Sequence, residues 1–109
     1  MYTSKELYGN VFLELEDLID TDINYPIELE YYKTNTKKNG FTVYGIEVIK
    51  KEYLEKTTNV EIKRKNIFTR SEKIIEKALE LLKNGKVTPM GLKDSLTYVI
   101  SKLREEDAI

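Results

Sequence analysis

The chain has no cysteine, no histidine and no tryptophan, and only two prolines among its 109 residues. Without cysteine there can be no disulfide, no thiolate nucleophile and no thiolate-bound zinc, which suits a reducing compartment. Without histidine the usual general base at neutral pH is missing, together with the commonest ligand for transition metals. Any chemistry would fall to Asp, Glu, Lys, Tyr, Ser or Thr. Long apolar runs are also lacking: nothing approaches the ~20 residues that span a bilayer, and Met1 to Glu6 leads into acidic positions rather than a signal-peptide core. A cytoplasmic protein is the expectation.

What is present is an ordinary globular balance, 40% hydrophobic and 34% charged, in a length that suits a single domain over residues 1–109. The net charge of -1 hides a segregation. Residues 1–32 hold one lysine against eight acids, residues 33–73 eleven bases against five acids, and residues 74–109 six of each, giving -7, +6 and 0. Such segregation steers a charged partner, or is satisfied internally if the acidic segment packs beside the basic one.

The amino-terminal segment, 1–24, reads as an acidic helix and loop. Thr3 and Glu6 have capping-box spacing, and Leu7, Tyr8, Val11, Phe12, Leu15, Leu18 and Ile19 share an arc of ~140°. A short strand from Val11 to Leu15 is the rival, and Gly9 weakens the helix, but length favours it.

Residues 25–68 read as an antiparallel sheet. Ile27, Leu29 and Tyr31 alternate onto one face; a polar connection, Thr34 to Gly40, closes on Asn39-Gly40, a hairpin signal. Tyr44, Ile46 and Val48 form the expected core face of the next strand, where Gly45 marks a bulge or a close approach. After a loop at Glu55 to Asn59, a third strand is expected to turn Val60 and Ile62 inward and its lysines outward, as an edge does.

Residues 69–103 read as a helical hairpin. Thr69-Arg70-Ser71-Glu72 is a second capping box, Gly85 is placed as the left-handed residue ending the first helix, and Thr88-Pro89 starts the second. Val87 and Leu92 stand at staple positions, and 104–109 forms a tail. The expected fold is α+β: an N-terminal helix, a three-stranded antiparallel sheet and a C-terminal helical hairpin, in the order α-β-β-β-α-α.

Glu30-Tyr31-Tyr32, Tyr44-Gly45-Ile46-Glu47-Val48, Leu81-Leu82-Lys83-Asn84 and Val87-Thr88-Pro89 with Leu92-Lys93-Asp94 resemble a family of short uncharacterised proteins from Firmicutes, especially clostridia. The resemblance covers residues 27–100. It implies one compact unit and, since that family has no assigned activity, transfers no catalytic residue.

No motif carries a reaction. Asp20-Thr21-Asp22-Ile23-Asn24 opens like a calcium loop, but Tyr25 and Tyr31 stand where glycine and a bidentate glutamate are required. Glu76 and Glu80 lie among lysines as helix ion-pair partners. No catalytic residue, metal or cofactor is assigned, and the chain is read as a non-enzyme. Lys50, Lys51, Lys63, Arg64, Lys65, Arg70 and Lys73 are a candidate basic patch for nucleic acid, against an acidic overall balance. The eight tyrosines favour protein contacts instead: Tyr31 and Tyr32 must face opposite ways, leaving Tyr32, Tyr44 and Tyr53 as candidate interface residues unless the amino-terminal helix covers the second face. The functional expectation is therefore a protein-interaction or regulatory module, self-associating or binding another protein. Nucleic-acid binding is the alternative.

Overall fold

A computed structural model describes residues 2–67 and 71–107. It contains four strands, β1 (Tyr2–Leu13), β2 (Ile27–Lys38), β3 (Phe41–Tyr53) and β4 (Thr58–Ile67), followed by helices α1 (Glu72–Asn84) and α2 (Leu92–Asp107). The strands form one antiparallel meander in the order β1-β2-β3-β4, and the helices pack on one of its faces. The order is β-β-β-β-α-α.

This corrects the expected amino-terminal helix and three-stranded sheet. Residues 2–13 pair with β2 along their length, from Tyr2 opposite Lys37 to Leu13 opposite Ile27. The register shifts between Leu7 and Gly9, so Tyr8 is an extra residue in the strand. That bulge breaks the period of two and spaces the apolar residues on either side of it like a helix. A short 3-10 turn, Leu15–Leu18, then drops Leu18 into the core. Thr3, far from capping a helix, has its Oγ1 3.1 Å from Thr36 Oγ1 across the strands.

The β2–β3 hairpin is tighter than its polar sequence suggests. Strand pairing continues to Lys38 opposite Phe41, and the turn is Asn39-Gly40 alone, both with positive φ (51° and 79°). Two successive left-handed residues match the right-handed twist of the flanking strands.

Leu29, Tyr31, Ile46 and Val48 on the sheet and Ile75, Leu79 and Leu82 on α1 are fully buried, as the period-two and helical patterns predict. Tyr31 keeps its hydroxyl satisfied by donating to the Val87 carbonyl at 2.8 Å. Gly45 has no room for a side chain: a Cβ there would lie 2.6 Å from Thr34 Oγ1 and 2.7 Å from the Lys65 carbonyl oxygen. It marks a close approach of both neighbouring strands.

β4 reverses its expected orientation. Val60 and Ile62 face away from the helices and are 52% and 54% exposed, while Glu61, Lys63 and Lys65 lie on the helix side. Among the apolar residues of this edge strand only Ile67 is buried. The helices lie mainly over β1 to β3, so the helix-side positions of β4 remain open to water and suit lysine.

The helix ends also differ in detail. Ser71 caps α1, accepting from the Ile74 amide, whereas Thr69 and Arg70 lie outside the described residues. Gly85 ends α1 in an ordinary right-handed conformation (φ -83°), and the left-handed residue is Lys86 (φ 53°). Amides of Lys86 and Val87 return to the carbonyls of Lys83 and Leu82, the paired bonds that close a helix around a left-handed residue. Thr88 precedes a 3-10 turn at Pro89–Gly91 without a side-chain capping bond, and α2 begins at Leu92 and continues through Asp107.

Candidate interaction surface

Helices cover one face of the sheet, and no described element covers the other. Strand pairing places the side chains of this open face in rows across β1 to β4: Phe12, Glu28, Lys51 and Val60; then Asn10, Glu30, Ile49 and Ile62; then Leu7, Tyr32, Glu47 and Arg64; then Lys5, Thr34, Gly45 and Asn66. The edge strands carry Leu7, Phe12, Val60 and Ile62 beside Lys5, Asn10 and Arg64, and the central strands carry Glu28, Glu30, Glu47 and Lys51 beside Tyr32 and Ile49. Leu7, Phe12, Val60 and Ile62 are each about half exposed, and Phe41 extends the apolar surface at the hairpin end.

Glu47 is the centre. Its residue exposure is 2%, although it sits on the open face. Lys5 from β1 donates to its Oε2 at 2.8 Å, and Arg64 from β4 donates to its Oε1 through Nε at 3.1 Å and Nη2 at 2.8 Å. Burial pushes its pKa up, but these cationic donors outweigh that and hold it below the ordinary carboxylate value. The Lys5 ammonium also lies 4.6 Å from the Tyr32 ring centre, so the ring forms part of the floor over which the lysine reaches Glu47.

The remaining charges of the central rows are paired as well. Lys51 meets Glu30 at 3.0 Å, and Glu28 accepts from Tyr53 at 2.7 Å and from Asn10 at 3.0 Å. The Tyr53 hydroxyl, first, and Asn10 hold Glu28 below its ordinary pKa. Phe12 stacks on Tyr53 with ring centres 6.0 Å apart. These four rows therefore carry three cations and three carboxylates with their partners already in place, and their net charge is zero.

Of the three candidate tyrosines, Tyr32 and Tyr53 lie on this face and Tyr44 does not. Tyr44 is on the helix side, where its hydroxyl donates to Glu72 at 2.8 Å. The candidate basic patch is likewise divided. Lys51 and Arg64 lie on the open face in ion pairs; Lys50, Lys63 and Lys65 are on the helix side, Lys50 3.8 Å from Glu52. Lys73 is on α1, and Arg70 is outside the described residues. The acidic amino-terminal segment is only partly neutralised: Glu6 and Glu30 meet lysines, but among the described residues no base lies within ion-pair distance of the acids from Glu14 to Asp22.

Sequence reasoning missed Leu7, Phe12, Glu47, Val60 and Ile62. The available signal was a lone carboxylate inside an apolar run, Ile46-Glu47-Val48-Ile49. Elsewhere, a groove of about 510 Å³ between β4 and α2 is lined by Lys65, Ile67, Lys93, Leu96 and Ile100, and one of about 590 Å³ runs between α1 and α2 beside Leu81 and Tyr98. Among the described residues no group of three or more acids could hold a metal ion, and no helix is long and apolar enough to cross a membrane.

The family of unknown function DUF6514 matches residues 10–102, from the second half of β1 to the last turns of α2, and the chain belongs to that family. No match is found among curated proteins or among solved structures.

Proposed function

We propose that this member of the family acts without catalysis, in the cytoplasm, as a protein-interaction module whose contact surface is the open face of the sheet. One observation carries the reading: apolar side chains stand half exposed on both edges of a face whose central charges are already paired. Dehydrating an unpaired charge costs several kcal/mol, so a face with its ions matched in advance can be covered at much lower cost. Phe12, Tyr32 and Tyr53, with the Arg64 guanidinium, add the composition that contact surfaces favour.

A sheet with aromatic rings and cations on one side also suits stacked single-stranded RNA. Here the cations are engaged by carboxylates and Phe12 packs on Tyr53, which removes the free charge and free ring that such binding needs.

The test is affinity capture in the chain's own cells with the wild type and with Phe12→Asp/Ile62→Asp. The expected result is a specific protein bound by the wild type and lost from the variant, with no retention on single-stranded RNA at low salt. RNA retention, or binding partners indifferent to both substitutions, would overturn the reading.

A further inference from the structure

The geometry points to a second copy of this chain as the occupant of the open face, packed sheet on sheet about a two-fold axis that runs along the strands. This rests on the interaction reading above and names its partner.

Two aligned sheets face each other at about 10 Å. A two-fold axis lying between them and parallel to the strands sets β1 of one copy over β4 of the other, and β2 over β3, with each row of side chains opposite the same row of its partner. Phe12 then lies over Val60, joining apolar residues that stand at opposite edges of a single copy. In the same row Glu28 lies over Lys51, so opposite charges meet, while in the next two rows Ile62 lies over Asn10 and Leu7 over the Arg64 side chain. A two-fold perpendicular to the strands would instead place the apolar Phe12 row opposite the threonine-rich end, where Thr3 pairs with Thr36 and Thr36 with Val43.

The size is sufficient. Four strands at about 4.8 Å spacing and some ten residues at about 3.3 Å each give a footprint of roughly 600 Å² per copy. Both copies together bury roughly 1,200 Å², the lower end of stable interfaces. The zero net charge of the central rows removes the repulsion that two identical charged faces would suffer.

Sedimentation equilibrium of the full chain over roughly 1 to 100 µM reads the association. The expected mass rises with concentration from 12.8 kDa towards a dimer. Ile62→Asp, at a site 54% exposed in one copy, leaves the fold intact by circular dichroism and weakens the dimer at least roughly tenfold. Because the chain lacks cysteine, Phe12→Cys and Val60→Cys each introduce one thiol. A short bismaleimide then joins the two variants to each other in preference to joining either to itself. A wild type that stays monomeric but captures a cell protein lost with Ile62→Asp overturns the second copy and leaves the interaction reading standing. A dimer unmoved by Ile62→Asp, without the mixed crosslink, overturns the face for both.

Discussion

Replacing Glu47 with glutamine removes one charge from the centre of the open face and leaves its shape. Three bonds converge on the carboxylate, one from Lys5 and two from Arg64. Hydrogen bonds to charged groups are worth about 1.5–3 kcal/mol each. The two cationic side chains are 42% and 45% exposed, however, so water recovers much of what they lose. Glutamine still accepts from Arg64 but has only one oxygen to offer, and an amide nitrogen facing Lys5 repels it. The net cost is about 1–2 kcal/mol at pH 7. With a urea slope of about 1–3 kcal/mol per molar, the unfolding midpoint falls by roughly 0.3–2 M. The pH dependence separates charge from shape. The folded pKa of Glu47 lies below its ordinary value of 4.5, so its contribution is fully present above that value and is lost as the pH falls through the folded pKa. The gap between wild type and Glu47→Gln therefore narrows below pH 4.5, while effects of the other carboxylates cancel between the two proteins. Equal midpoints at pH 7, or a gap that stays constant down to pH 3, would refute the account of Glu47 as a buried anion held by two cations.

Gly45→Ala destabilises by about 2–4 kcal/mol in urea melts, and adding Thr34→Ala restores only part, because the Lys65 carbonyl 2.7 Å from the new Cβ is backbone and cannot rotate away. Lys86→Gly removes the left-handed strain at φ 53°, worth about 1–2 kcal/mol, against an entropic cost of about 0.5–1 kcal/mol; a rise in melting temperature of roughly 2–4 °C is expected by calorimetry. Tyr31→Phe leaves the Val87 carbonyl without its donor and costs about 1–2 kcal/mol by chemical denaturation.

How much of this was legible in the sequence depends on whether local or distant contacts decide. The Asn39-Gly40 hairpin, the core faces Ile27-Leu29-Tyr31 and Tyr44-Ile46-Val48, and the two helices follow from turn chemistry and periodicity within a few residues. β1 did not, because one bulged residue, Tyr8, shifts the alternation and makes Leu7, Val11 and Phe12 fall at helical spacing. β4 failed for another reason. Period two says that Val60 and Ile62 share a face but not which face the helices will cover, and that is settled by where α1 and α2 land.

These two errors have a single consequence for the site. With the segment 1–24 read as a helix and loop, that helix is one candidate cover for the second sheet face, and under it Tyr32 is ordinary core. With residues 2–13 paired as a strand, no described element remains to cover that face, and Leu7 and Phe12 join Val60 and Ile62 on its edges. Glu47 changes meaning in the same step. In isolation it is a charge that alternation turns outward to water, yet Lys5, 42 residues away in sequence, reaches across Tyr32 to meet it, which only a strand at the position of β1 permits. Tyr32 and Tyr53 pointed to this face from period alone, but the bulge at Tyr8 that hid β1 also hid the edge, with Leu7 and Phe12, that β1 adds to it.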